Sequence, residues 1–378
     1  MAAVPEAGYL LVADLTGYTA YLSGAEIEHA PTIAGDLLET IVGRLDPPFR
    51  LAKFEGDAAF LYVEDGRAEP ALLLDAIESC YVAFRRRLRS IEQATACDCA
   101  ACRTAPRLDL KFFIHHGQYV RTRIAGRDEL AGSSVIAVHR LLKGETAARA
   151  HDAEGRASGF VVFTADAVRS LGLDPDVVGL VHGTESIEHL GEITTYVQDL
   201  EGRWQDEAAE SRLVIGPARL FLETDVVVEA DMSTVWSHLT SPALRARWEG
   251  GIVIDAGPAG SRPGVGTTLQ CVTGRLATIE EIVDWQPFEH IGYRVIVPDV
   301  GVLDATYDLA AADGRTHVRQ RWGGDSPVEA HQAAAVLAER GAALGRLGAL
   351  LAGSMDGSGI DGAPGEPVAV PESNEVTR

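Results

Sequence analysis

The first apolar run, Tyr-Leu-Leu-Val-Ala over residues 9–13, closes on Asp14 and gives way to Leu-Thr-Gly-Tyr-Thr, the pattern of a buried strand running into a loop. Ile33, Leu37, Leu38, Ile41, Val42 and Leu45 then recur at helical spacing until Asp46-Pro47-Pro48 stops them. Residues 49–54 and 58–63 are strand-like and joined by Glu55-Gly56-Asp57, which predicts a hairpin. A long amphipathic helix is expected over 70–92, turning basic at Arg85, Arg86, Arg87 and Arg89. Strands at 107–115 and 118–124, a helix near 133–143 and a short strand at 160–163 follow, and further pieces close the region near residue 200. The order β-α-β-β-α-β-β-α predicts an α+β, ferredoxin-like domain over residues 8–201.

Residues 202–211 are polar and read as a linker, after which the pattern changes. Strands are expected at 219–229, 265–273, 276–283, 291–297, 302–309 and 316–322, with a short helix at 231–239 and a long Ala/Leu-rich helix at 327–353. Many strands closed by one terminal helix predict a curved antiparallel sheet wrapped around that helix, a second domain over 212–353. Residues 354–378, rich in Gly, Pro, Ser and Glu, read as a disordered tail.

Composition narrows the classes of partner. Of 378 residues, 46% are hydrophobic and 23% charged, as in ordinary soluble globular chains. Lys and Arg number 33 against 55 Asp and Glu, a net charge of -22 that repels phosphate backbones and anionic lipid, so no nucleic-acid partner is expected. An anionic nucleotide can still bind through a bridging metal or a helix N-terminus. No apolar run reaches membrane-span length, and the N-terminus lacks the basic region of a signal peptide. Five cysteines, Cys80, Cys97, Cys99, Cys102 and Cys271, suggest reduced thiols or a metal site in a cytoplasmic protein.

Asp14 ends a buried strand and Asp57 sits at a hairpin tip. Two such carboxylates on adjacent strands can share a pair of divalent ions that clamp a triphosphate and activate a hydroxyl for in-line attack. The free N–H groups of Leu15-Thr16-Gly17-Tyr18, opening a helix, suit a phosphate. Taken alone, Asp14 reads as an N-cap and Asp57 as a turn residue.

Three stretches together resemble the class III nucleotidyl cyclases. Asp14-Leu15-Thr16-Gly17-Tyr18-Thr19 is similar to their first metal motif, Lys53-Phe54-Glu55-Gly56-Asp57 to their Lys-x-x-Gly-Asp hairpin, and Gly132-Ser133-Ser134-Val135-Ile136-Ala137-Val138-His139-Arg140-Leu141 to their Gly-x-x-Val-Asn-x-Ala-x-Arg helix. The resemblance covers roughly residues 8–200. It implies two Mg²⁺ or Mn²⁺ ions on Asp14 and Asp57, adenine of ATP read by Lys53 and Glu129, and Arg140 holding the transferring phosphate. It also implies a homodimer whose sites combine metal residues of one subunit with the Arg of the other. One departure bears on activity: the family's Asn is Ile136, which cannot hydrogen-bond a ribose. Loss of one oriented donor costs on the order of 10²–10³ in rate. The expected function is therefore a weak cyclase forming cyclic AMP or, alternatively, an inactive nucleotide- or lipid-responsive sensor.

Cys97-Asp98-Cys99-Ala100-Ala101-Cys102 crowds three thiols into six residues, which suits Zn²⁺ with a fourth ligand from Cys80, His115 or His116. Redox-active or unliganded thiols remain open readings, because no second Cys-x-x-Cys follows. The segment resembles the insertion of a divergent cyclase-like family, in which such a cluster precedes a strand like Leu108-Asp109-Leu110-Lys111-Phe112 and a histidine like His115.

In the second domain, Val226-Val227-Val228-Glu229-Ala230-Asp231-Met232-Ser233-Thr234-Val235-Trp236, then Ser241-Pro242 and Trp248, resembles the opening of the START-like, polyketide-cyclase-like superfamily. That resemblance implies a helix-grip fold with an apolar cavity for a hydrophobic small molecule, lined by Val336, Leu337, Leu344 and Leu347 of the last helix. A filled core is the other reading of the same positions. His238, His290 and Glu281 form no catalytic set.

Overall fold

The computed structural model describes residues 4–24, 29–94, 99–144, 159–187, 190–209, 212–255, 257–273, 276–325 and 331–353. The first half runs β1 (Pro5–Thr16), α1 (Tyr18–Gly24), α2 (Ala30–Leu45), β2 (Arg50–Glu55), β3 (Ala58–Glu64), α3 (Pro70–Ala94) and α4 (Ala100–Thr104). It continues through β4 (Asp109–Ile124), β5 (Arg127–Ala131), α5 (Ser133–Leu141), β6 (Phe160–Thr164), α6 (Ala165–Ser170), β7 (Val181–Ile187), β8 (Gly191–Asp199) and α7 (Leu200–Ala209). Its eight strands form one sheet in the order β2-β3-β1-β4-β6-β8-β7, with β5 paired to β4.

β1 lies between β3 and β4 and runs antiparallel to both. The β1–β2 and β3–β4 crossovers therefore each straddle an intervening strand, the double split β-α-β of a ferredoxin-like domain. Buried Leu11, Ala13, Leu61, Phe112 and Ile114 face the helical layer of α2 and α3, and Leu10, Val12, Phe60 and Phe113 face α5. The two runs expected as separate strands at 107–115 and 118–124 are one long β4. Gly117 lies within it, and the missing side chain lets Ser134 of α5 close over the strand.

The stretch expected as linker begins as helix α7, because Trp204 is buried against the first domain, where the Arg89 guanidinium lies 5.0 Å from its ring centroid. Beyond it come β9 (Leu220–Val228), α8 (Met232–Thr240), α9 (Pro242–Glu249), β10 (Ile252–Asp255) and β11 (Thr268–Thr273). They are followed by β12 (Leu276–Gln286), β13 (His290–Val297), β14 (Gly301–Ala312), β15 (Arg315–Gly323) and α10 (Ala334–Gly353). The sheet is antiparallel throughout, β10-β11-β12-β13-β14-β15-β9, and α10 packs on β9, β15 and α9. This is the helix-grip arrangement. The expected tail, 354–378, lies outside the described residues.

Trp236, Trp248 and Trp322 fill the grip and are almost wholly buried. Asp231 caps α8 by accepting from Thr234 N at 2.9 Å, and Trp248 Nε1 donates to His238 O at 2.8 Å. Between α10 and the sheet, Arg245 and Arg340 are each ion-paired to both Glu249 and Glu280, at 2.5–2.8 Å. Burial raises the Glu280 carboxyl, but the two guanidinium groups outweigh it and hold the group well below its ordinary range. Val336, Leu337, Leu344 and Leu347 are buried on α10, so the face expected to line a cavity shares its interior with a compensated ion quartet.

The two halves meet through α2 and α3. Trp236 Nε1 donates to Asp75 Oδ2 at 2.9 Å, Arg262 pairs with Glu78, and Glu289 takes Arg44 at 3.0 Å and Arg86 at 2.6 Å.

Candidate nucleotide site

Asp14 stands near the end of β1, opposite Ala58 of β3 and Lys111 of β4. Asp57 occupies the two-residue turn between β2 and β3, where Gly56 takes a φ of +69°, a left-handed conformation that Gly adopts without a Cβ clash. The loop after Asp14 is tied to that turn: Leu15 N donates to Asp57 O at 3.3 Å. Thr16 ends β1, Gly17 turns with a φ of +86°, and Tyr21 N donates to Gly17 O at 2.9 Å to start α1. Tyr18 is half-buried against the core.

Lys111 Nζ lies 3.1 Å from Asp14 Oδ2. Burial raises the Asp14 carboxyl above its ordinary range; Lys111 draws it down, and the charge of Asp57 pushes it up again. The Asp57 charge acts on Asp14 across the turn, and carboxylate oxygens are the donors that hard divalent ions take.

Lys53 of β2 reaches across to β5, its Nζ 2.9 Å from Glu129 Oε2 and 3.0 Å from Glu55 Oε1. Hydrogen bonds that the Lys53 ammonium donates to both carboxylates raise it above its ordinary range. His139 of α5 extends the row, with Nε2 2.9 Å from Glu55 Oε2 and its ring edge-on to Phe60 at 4.6 Å. Helix α5 starts at Gly132, whose φ of +146° belongs to Gly. Ile136 and Arg140 lie four residues apart on its outer face, where Ile136 is 54% exposed. The structure thus brings Asp14 and Asp57 together, brings Lys53 and Glu129 together, and turns Arg140 outward.

Lys111, Glu55 and His139 are partners that the sequence reading missed. A lysine inside the otherwise apolar run Leu110-Lys111-Phe112-Phe113-Ile114 is the one local signal that would have raised Lys111.

The cysteine cluster is laid out differently from expectation. Cys97 lies outside the described residues. Cys99 and Cys102 approach His29, at the N-terminus of α2. The three residues expected to supply a fourth ligand are engaged elsewhere. Cys80 is buried under α2 and donates to Ile41 O at 3.7 Å, His115 pairs with Thr164 Oγ1 at 2.9 Å, and His116 Nε2 with Asp65 Oδ1 at 2.9 Å. In the second half His238 Nδ1 sits 2.9 Å from Thr234 O, and His290 is clamped between Asp284 and Asp308 at 3.2 and 2.8 Å, both in structural roles.

Residues 34–150 match a family described as "Protein of unknown function (DUF2652)", and residues 221–352 match "Polyketide cyclase / dehydrase and lipid transport". An uncharacterized protein of Mycobacterium tuberculosis (strain ATCC 25618 / H37Rv), Rv2561/Rv2562, is 33% identical over 165 residues, 43% of this chain and 72% of that protein. A bacterial light-regulated adenylyl cyclase is similar over 52% of this chain and 52% of its own, at 11% identity and a TM-score of 0.38. The chain therefore spans about half of that cyclase. The guanylyl cyclase Cya2 is similar over 53% of this chain and 93% of its own, at 16% identity and a TM-score of 0.37. In strand order the first half is a double split β-α-β domain, and within the second half residues 221–352 carry the match to the polyketide cyclase / dehydrase and lipid transport family. Among the described residues no helix is long and apolar enough to cross a membrane.

Proposed function

This chain belongs to the family of the mycobacterial protein Rv2561/Rv2562, and we propose that its first domain binds ATP with divalent metal and converts it weakly to cyclic AMP and pyrophosphate. The observation that carries this reading is the 2.9 Å pair between Lys53, on the hairpin that turns at Asp57, and Glu129 of β5. A fixed ammonium beside a fixed carboxylate offers a donor and an acceptor for the ring nitrogen and amino group of adenine. Asp14 and Asp57 would hold two Mg²⁺ or Mn²⁺ ions, which supply neutralisation of the triphosphate and activation of the ribose hydroxyl when bound. Lys111 keeps Asp14 compensated. The loop Thr16-Gly17-Tyr18 would lie along the phosphates. In the reaction the ribose 3′ oxygen bonds to the α-phosphorus, the bond to the bridging oxygen breaks, and pyrophosphate leaves. The outward Arg140 would stabilise the charge of that transfer in the site of a second subunit, so the working form is a homodimer.

A hydrophobic small molecule bound against α10 is the ligand we assign to the second domain, supported by the lipid-transport description of the family it matches. Ile136 favours a second reading, a sensor that binds nucleotide without turnover, because its exposed aliphatic side chain offers the ribose no hydrogen bond. Incubation of the purified chain with Mn²⁺ and ATP separates them: cyclic AMP formation supports the enzyme, and binding without product supports the sensor.

A further inference from the structure

Away from the nucleotide site, His29, Cys99 and Cys102 bring one nitrogen and two sulfur atoms within 4.8 Å of one another. His29 Nδ1 lies 3.3 Å from Cys99 Sγ and 3.6 Å from Cys102 Sγ. A tetrahedral zinc ion with bonds of about 2.3 Å to sulfur and about 2.0–2.1 Å to nitrogen has N···S edges of about 3.5 Å, so both N···S separations already stand at the spacing of a zinc site.

The local backbone supports this arrangement. Cys99 is the N-cap of α4, and its Sγ accepts from Cys102 N at 3.4 Å, which holds both thiols on one side of the turn. His29 comes from the start of α2, 70 residues away in sequence from Cys99. Tyr21 of α1 packs beside the thiols. Its ring is buried and, among the described residues, its hydroxyl has no hydrogen-bond partner, so a polar group without a partner there points into the same region.

We propose that His29, Cys99 and Cys102 are ligands of a zinc ion that staples the start of α2 to the cysteine-bearing segment before β4. Helix α1, which continues directly from Asp14-Leu15-Thr16-Gly17, contacts both α2 and α4. The staple therefore braces the far end of the loop that carries the first metal motif. The site does not depend on the nucleotide reading, and the ion is structural: folding energy comes from joining segments that are distant along the chain.

Elemental analysis of the full chain, purified without chelator, is expected to give one zinc per chain. His29→Ala and Cys102→Ser are each expected to lose it, and His116→Ala to keep it. X-ray absorption at the zinc edge of the unmodified chain guards against a variant that merely misfolds. It should report at least one nitrogen ligand together with sulfur near 2.3 Å. Absence of zinc, full zinc retention in folded His29→Ala, an all-sulfur shell, or a Cys99–Cys102 disulfide in the purified chain would each overturn the assignment. Nucleotide binding enters none of these readouts.

Discussion

Asp75 Oδ2 accepts a 2.9 Å hydrogen bond from Trp236 Nε1, so a carboxyl of one domain and an indole of the other meet in the buried junction between them. Burial raises the Asp75 carboxyl to about 7, against the opposing pull of Arg262 and the Trp236 bond and with a further push from Glu78. The unfolded chain ionises this group near pH 4. Between about pH 4 and pH 7 the folded chain therefore holds a proton that the unfolded chain has released, and the linkage makes stability fall as pH rises through that window. Above it the loss is complete. Asp75→Asn removes this contribution, so the variant should gain most over the native chain at pH 8 and least at pH 4. Denaturation curves of both chains across that range test it; the paired comparison also removes the similar effect of Asp109, raised by burial to about 6. Parallel pH profiles for the two chains would contradict the assignment.

Ile136→Asn should raise cyclic AMP formation. The substitution returns a hydrogen-bonding side chain to an exposed position four residues before Arg140 on α5, where there is space for it. An oriented donor of this kind is worth on the order of 10²–10³ in rate. Product formation from Mn²⁺-ATP by the two chains, side by side, gives the answer. An equal or lower rate in the Asn variant would show that α5 does not present this face to a nucleotide.

Arg340→Met should destabilise the second domain by about 3–5 kcal/mol, because Glu249 and Glu280 would share Arg245 alone in a buried site. Urea denaturation measures the cost. A loss below about 1 kcal/mol would mean that water reaches the quartet and screens it. Entry of water would also enlarge the space available to a ligand beside α10.

Much of the site was legible because its parts are local. The Asp14 loop, the Lys53–Asp57 hairpin and the α5 helix each lie within ten residues, and turn chemistry fixes their shape whatever surrounds them. Glu129 was reached through resemblance, and the register of β4 with β5 places it within reach of Lys53. His29 was invisible because no spacing links it to Cys99, from which α2, the β2–β3 hairpin and α3 separate it. Lys111 was passed over as one polar residue in an apolar strand, since a pairing with Asp14 depends on strand register. The short β10 was missed because Ile252 and Ile254 are exposed on an edge strand and do not mark a core face. Helix α7 reads as linker because nine of its ten residues are not aromatic and four are charged, while one buried Trp204 decides its docking.

The shared carboxylate site at Asp14 and Asp57 is the centre of the functional reading, and calorimetric titration of Mn²⁺-ATP tests it most directly. The native chain should bind, and Asp14→Ala and Asp57→Ala should each lose binding while circular dichroism shows them folded. Removal of either carboxylate leaves the ions with half their protein oxygens. Undiminished Mn²⁺-ATP binding by folded Asp14→Ala would contradict the assignment.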